Sequence, residues 1–262
     1  MFPVLFNIGD ISIETYYVVW SAALYLALLW TSRRMTLYEI DGDEGRRIIA
    51  WGLAGMILGA HAVGYAWNFP VYWKNPSLLF DLNKEGISEK GAISGALIVT
   101  FALCRRGGKV SFFKLCEAAV IPGFLTIAAG RLGCFFAGCC DGIESAFPLA
   151  LHFPYDDPSV TRHATQLYYS FSAALILPAL IFVEKRVMLR TGGQLPRRCI
   201  LTPLGLIFYS IMRISVDSLR LGRENMLPSN IALAAAIALG AAWFLASWNA
   251  VRKELPATYK PL

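Results

Sequence analysis

The sequence predicts an all-α integral membrane protein of about seven transmembrane helices, with the N-terminus outside and the C-terminus cytoplasmic. Three observations carry that reading. The 262 residues are 56% hydrophobic and only 16% charged, which is too apolar for an ordinary soluble domain. Apolar stretches approaching the ~20 residues needed to cross a hydrocarbon core recur along the whole chain. The basic residues alternate between the connecting segments, and 16 of the 24 fall in segments that this topology makes cytoplasmic.

The spans follow in order. The first, Thr15 to Thr31, comes after an acidic segment holding Asp10 and Glu14; without a basic n-region it does not read as a cleavable signal peptide. The second, Ile48 to Trp67, carries Gly52, Gly55, Gly59, Ala60 and Gly64, and its Gly55-x-x-x-Gly59 pair lets a neighbouring helix approach closely. The third, Ala92 to Cys104, is short. The fourth, Phe113 to Phe135, contains Glu117 and Pro122, neither expected in lipid. Gln166 to Val183, Leu201 to Leu219 and Asn230 to Val251 complete the set, and the last reads as packing alone.

Orientation comes from the segments between them. Arg33, Arg34, Arg46 and Arg47, then Arg105, Arg106, Lys109 and Lys114, then Lys185, Arg186, Arg190, Arg197 and Arg198 fall inside, with Arg252, Lys253 and Lys260 in the tail. Residues 1–262 therefore form one polytopic membrane domain with short extracytoplasmic segments at 68–91, 138–165 and 220–229. The first of these, with Phe69, Pro70, Tyr72 and Trp73, suits the membrane interface; the second, with Pro148, Pro154 and Pro158, reads as loop. The net charge of +6 is mostly topological. Scattered basic residues without a zinc-finger or glycine-rich nucleotide motif exclude nucleic acid as a partner.

Two charged features lie at membrane depth. Arg131 sits near the end of the fourth span, where an unpartnered charge costs roughly 2.5 kcal/mol or more. In the sixth, Tyr209, Arg213, Asp217 and Arg220 are spaced to share one helix face. An Arg213–Asp217 pair neutralises itself, but Arg131, Arg213 and Arg220 outnumber Asp217. That surplus calls for an anion, and the abundant anion in a membrane is a lipid phosphate, which a guanidinium fork binds well.

Cys134, Cys139 and Cys140 fall within ten residues of Arg131. Four readings stay open: a disulfide or redox pair between Cys134 and one of the others, a reactive thiol lowered by Arg131, packing, or zinc completed by His152 or His163, although the spacing is not a standard zinc pattern and no metal is assigned. Cys104, Cys116 and Cys199 read as structural, as do His61 and His152. His163 stands apart, because Arg162-His163-Ala164-Thr165-Gln166-Leu167-Tyr168 places a basic pair and a Thr cap at a helix entry, where free N–H groups bind anions.

These motifs, in this order from about Ile13 to Leu221, resemble the prolipoprotein diacylglyceryl transferase family. Gly130-Arg131-Leu132-Gly133-Cys134-Phe135 is similar to its signature Gly-Arg-x-Gly-Asn-Phe-x-Asn-Gly-Glu, and Arg162-His163-Ala164-Thr165-Gln166-Leu167-Tyr168 to its Arg-His-Pro-Ser-Gln-Leu-Tyr. Gly86-Ile87-Ser88-Glu89-Lys90-Gly91-Ala92 resembles Gly-Met-Ser-Phe-His-Gly-Gly, and Tyr209, Arg213, Asp217 and Arg220 resemble its Tyr-x-x-x-Arg-x-x-x-Glu-x-x-Arg helix. The resemblance implies a multi-pass enzyme of the bacterial inner membrane. It would move the diacylglyceryl group of phosphatidylglycerol to the cysteine thiol of a lipoprotein precursor, releasing glycerol phosphate, with no cofactor. Arg131 and Arg213 would hold the headgroup and receive the departing phosphate, in a cavity lined by Tyr16 or Tyr17, Tyr209, His163, Asp217 and Arg220.

The chain departs from the family pattern on the acceptor side. Lys90 stands where the family has a histidine proposed as general base. Cys134 and Ala137 replace the signature asparagines, and Cys139 replaces its glutamate. The resemblance therefore leaves Lys90, His163, Cys134, Cys139 and Cys140 as candidates for acid, base or nucleophile. Two further readings accompany it: a paralogue with a phospholipid donor and another acceptor, and a membrane thiol redox protein built on the three cysteines.

Overall fold

A computed structural model describes residues 2–9, 11–75, 88–191, 199–222 and 227–254. It is an all-α fold. Its helices are α1 (Thr15–Met35), α2 (Gly42–Trp67), α3 (Phe69–Lys74), α4 (Glu89–Gly107), α5 (Phe112–Ala137), α6 (Thr165–Arg190), α7 (Leu201–Asp217) and α8 (Leu227–Glu254). Every apolar stretch of the sequence is helical, and most helices run a few residues past it because polar ends continue the backbone hydrogen bonding. Among the described residues, four helices, α2, α5, α6 and α8, are long and apolar enough to cross a membrane. Many of their large side chains are exposed, among them Leu58, Phe113, Phe182 and Leu239, as expected where lipid rather than water covers the surface.

Strands are few. An antiparallel hairpin not anticipated from the sequence, β1 (Val4–Ile8) and β2 (Ile11–Glu14), leads into α1. In the segment read as loop, β3 (Ala150–Leu151) pairs antiparallel with β4 (Arg162–His163).

The chain forms two compact units, Met1–Arg34 with Cys116–Leu262, and Met35–Leu115. In the second unit, α2 and α4 cross at glycines. A Cβ on Gly59 would lie 2.3 Å from the Gly91 carbonyl oxygen, and one on Gly95 would lie 2.2 Å from that of Gly55. Gly55 and Gly59 thus serve the close approach the sequence predicts for them. Ser88 caps α4 by accepting from the Gly91 N–H at 3.2 Å.

The first unit has its core between α5, α6 and α7, where Ile121, Phe124, Tyr169, Ala173, Leu180, Met212 and Val216 are buried together. Both oddities of the fourth span are resolved here. Pro122 has no N–H for the Ala118 carbonyl one turn earlier, and the Arg34 Nε donates to that oxygen at 2.8 Å. Glu117 accepts from the Leu201 and Thr202 N–H groups at 3.0 and 2.6 Å, satisfying donors that the first turn of α7 leaves free. Arg34, counted above among loop charges, is instead buried and clasps Glu184 of α6 through two bonds of 2.8 and 2.7 Å.

Candidate functional site

The site grows from the C-terminal part of α5 in the first unit. Gly130 and Gly133 let α5 lie directly on α1: a Cβ on Gly130 would meet the Trp20 ring at 2.7 Å, and one on Gly133 would meet Val19 at 3.2 Å. The glycines of the signature are thus a packing surface that brings α1, with Tyr16, against the helix bearing Arg131 and Cys134. Tyr16 lies within electrostatic reach of Arg131 and of all three thiols.

Arg131 is only 9% exposed. Its guanidinium carbon lies 4.4 Å from the centre of the Tyr169 ring, and that of Arg213 approaches the same ring at 5.8 Å. Two arginines far apart in sequence therefore converge on one aromatic ring. Arg213 also lies 5.9 Å from the Tyr209 ring, and its Nε is 3.1 Å from Asp217 Oδ2. The Tyr169 hydroxyl donates to Asp217 Oδ1. Asp217 thus answers Arg213, whereas Arg131 has no carboxylate partner among the described residues. The group as a whole carries a surplus positive charge in a buried setting, where an anion binds far more strongly than at an exposed surface.

Tyr169 is the residue sequence reasoning missed. It is an aromatic in an apolar helix, which reads as core. Its place in the Tyr168-Tyr169 pair, one turn into α6 after the Arg162-His163 motif, was the available signal.

Arg220 departs from its predicted place. α7 ends at Asp217, so Arg220 lies beyond the helix in the following turn, where it bridges to Gly142 and its Nη2 donates to Cys140 Sγ at 3.0 Å. Residues 139–144 run between that turn and β4. Gly142 N–H bonds to the His163 carbonyl at 2.8 Å, Ile143 N–H to Leu219 at 2.9 Å, and Leu221 N–H to Asp141 at 3.3 Å. Gly142 is needed there, because a Cβ would fall 2.5 Å from the Leu219 oxygen.

The Arg162-His163 pair is not the free basic pair that the sequence suggests. Arg162 is neutralised, making two bonds to Asp156 at 2.8 and 2.9 Å and reaching Glu144 at 3.4 Å. Its hydrogen bonds hold the Asp156 carboxyl below the usual range. His163 Nδ1 lies 3.1 Å from the Tyr168 hydroxyl, and its ring packs on Phe147. Thr165 does not cap α6: its hydroxyl donates to the Cys140 carbonyl at 2.6 Å, and Gln166 Nε2 donates to that of Cys139 at 2.6 Å. The helix entry holds the thiol segment in place instead.

Cys134, Cys139 and Cys140 form no disulfide, so the pairing considered above is not made. The Cys134, Cys139 and Cys140 sulfurs nevertheless lie within 4.8 Å of one another. Hydrogen bonds involving the Cys134 and Cys139 thiols, followed by the charges of Arg220 and Arg131, hold the Cys140 thiol below its ordinary range.

Lys90 belongs to the second unit. It is exposed in the first turn of α4, with its ammonium 5.9 Å from the Trp67 ring centre. Gly86 and Ile87 of the same motif lie outside the described residues, as do parts of the predicted segments 68–91 and 220–229.

Fold and site together define a class: a multi-pass helical membrane protein with a buried cationic site of two arginines stacked on a tyrosine. The sequence model of the prolipoprotein diacylglyceryl transferase family matches residues 3–249. Proteins named phosphatidylglycerol–prolipoprotein diacylglyceryl transferase are similar along most of their length. The one from Fervidobacterium nodosum is 30% identical over 92% of this chain and 83% of its own. That of a Marinomonas species is 31% identical over 83% and 79%, and that of Pseudomonas aeruginosa 30% over 83% and 80%. The chain belongs to the prolipoprotein diacylglyceryl transferase family.

Proposed function

We propose that this protein transfers the diacylglyceryl group of phosphatidylglycerol to the cysteine thiol of a lipoprotein precursor. The observation that carries the reading to particular residues is the convergence of Arg131 and Arg213 on Tyr169. A phosphodiester headgroup brings one negative charge to a site with one unanswered guanidinium. As the glyceryl carbon–oxygen bond breaks, the leaving phosphate gains a second charge, and donors already aimed at it stabilise that gain without reorganising. Asp217 and the Tyr169 hydroxyl hold Arg213 in position, and Tyr209 and Tyr16 line the same region.

The cysteines act on the acceptor side in this reading rather than as a covalent carrier. A diacylglyceryl group placed on Cys140 would form a thioether, whose sulfur is a poor leaving group, so it could not be passed on.

The surrounding topology is proposed as the charge pattern has it: seven spans in one membrane domain of the inner membrane, with the N-terminus and the segments 68–91, 138–165 and 220–229 on the outer side. The 138–165 segment then lies where a secreted precursor presents its cysteine.

The test is transfer from phosphatidylglycerol in lipid nanodiscs to a lipobox peptide, followed by mass spectrometry of the peptide. The reading expects a thioether-linked diacylglyceryl adduct, lost in Arg131→Ala and Arg213→Ala. Hydrolysis of the lipid with an unmodified peptide would point to another acceptor, and inert lipid would refute the transferase.

A further inference from the structure

We propose that Cys134, Cys139 and Cys140 hold a Zn2+ ion whose fourth coordination position takes the acceptor thiol. The first ground is geometric. The three sulfurs lie within 4.8 Å of one another. Zinc–sulfur bonds of about 2.3 Å at tetrahedral angles would set sulfurs about 3.8 Å apart, so small side-chain rotations close the site. The set contains no carboxylate or imidazole, and an all-thiolate set selects soft cations against magnesium or calcium.

The second ground is how the backbone holds the sulfurs. Adjacent residues in extended chain point to opposite faces, which would separate Cys139 from Cys140. Cys140 instead has φ of +66°, a left-handed conformation that non-glycine residues rarely adopt, and its sulfur falls beside the other two. The segment is held on both sides of that bend. Cys139 N–H bonds to the Cys134 carbonyl at 3.1 Å, and the Cys139 and Cys140 carbonyls each accept a 2.6 Å bond from Gln166 and Thr165. Cys134 is fixed by its place on α5. Preorganisation of this kind is what a ligand set requires and what simple packing does not.

Charge is the third ground. Three thiolates around a divalent ion leave one net negative charge, and Arg220 Nη2 lies 3.0 Å from Cys140 Sγ to answer it. Cys134 is buried while Cys139 and Cys140 are half-buried, which leaves an approach to the metal from their side.

Three protein ligands and an open position are the arrangement of a catalytic rather than a structural zinc. The role of that position rests on the transferase reading above; binding of the metal does not. A thiol coordinated to the ion gives its proton to water, so the site supplies an activated acceptor in a chain that has Lys90 at the motif position of the family's histidine. The bound sulfur then donates an electron pair to the terminal glyceryl carbon of the lipid. The bond from that carbon to the phosphate oxygen breaks, and glycerol phosphate leaves with the electron pair of the broken bond. Arg131 stands three residues from Cys134 on α5, on the same face and about 4.5 Å along the axis. The phosphate and thiol sites are therefore neighbours.

The experiment uses the full chain in phosphatidylglycerol nanodiscs. Metal content is measured first, then the absorption of the Co2+-substituted protein, for wild type, Cys139→Ala and Cys140→Ser. One zinc per chain, a thiolate-to-cobalt band, and at least tenfold weaker metal binding in both variants at unchanged monodispersity would support the site. A lipobox peptide should shift the cobalt band, and its Cys→Ser counterpart should not. Wild type without zinc or a cobalt band, copper in place of zinc, or variants that bind as wild type would overturn it. A band indifferent to the peptide would overturn the fourth position. Zinc-free wild-type protein that still transfers lipid would refute the site and leave the transferase standing. A loaded protein that responds to the peptide but transfers nothing would do the reverse.

Discussion

Two buried arginine centres lie in the same compact unit, and they differ in how their charge is answered. Arg34 spends its guanidinium on Glu184 and on the carbonyls of Ala118 and Glu117, so a carboxylate and orphaned backbone oxygens meet it from within the protein. Arg131 and Arg213 both approach the Tyr169 ring, where Asp217 answers Arg213 and Arg131 has no carboxylate partner among the described residues. The comparison teaches that burial of a charge does not by itself mark function. The first centre repairs the chain around Pro122; the second keeps a charge in reserve for a ligand.

The strongest way to break the contrast is to remove each arginine in turn. Arg131→Ala and Arg213→Ala should lower diacylglyceryl transfer on the order of 10²- to 10³-fold, the usual loss when a donor to a developing anion is removed, with little change in thermal unfolding for Arg131→Ala. Arg34→Ala should do the opposite. It strands Glu184 as a buried charge and should cost about 3–5 kcal/mol of stability in detergent unfolding, while folded molecules transfer at close to the wild-type rate. Arg34→Met with Glu184→Leu should restore most of that stability, since an apolar pair of similar volume can replace a buried ion pair. If Arg34→Ala lost rate rather than stability, the two centres would not differ as described.

Tyr169 sharpens the contrast within the second centre. Tyr169→Phe keeps the aromatic face but deletes the donor to Asp217, and should slow transfer about tenfold through misplacement of Arg213. Tyr169→Leu removes the face as well and should lose more. Equal effects of the two would assign the ring no role.

The smallest effect concerns the loop beside the site. Asp156 has its carboxyl lowered by Arg162, so its ionised form favours the folded loop. That contribution is present above the ordinary carboxylate pKa and fades as pH falls through the lowered one. Hydrogen exchange at Ser145 and His163, whose amides close this loop, should quicken only in acid below the usual carboxylate range. Asp156→Asn should show the faster exchange at neutral pH already.

Much of this was legible in the sequence because membrane helices follow from hydropathy alone. α5 lies within two residues of its apolar stretch at both ends, α2 begins six residues before its own and α6 runs seven past, and Gly55 and Gly59 do what their spacing suggests. Arg131, Arg213 and Asp217 were legible because a charge in an apolar span needs a reason. What was hidden depends on contacts between distant segments. Arg34 looks like one more positive charge at a helix end until α6 supplies Glu184. Arg162 looks free until the chain folds Asp156 back onto it. Tyr169 looks like core until two guanidiniums stack on it. Arg220 continues the helical spacing on paper, but α7 stops at Asp217 and the turn carries it to Cys140.

The central claim is that the unanswered charge of Arg131, with Arg213, receives a lipid phosphate. The most direct measurement is native mass spectrometry of the purified protein released from membranes containing both phosphatidylglycerol and diacylglycerol. The account predicts one phosphatidylglycerol retained by wild type and by Arg34→Met with Glu184→Leu, and none by folded Arg131→Ala. Retention of phosphatidylglycerol by Arg131→Ala at the wild-type level would contradict it.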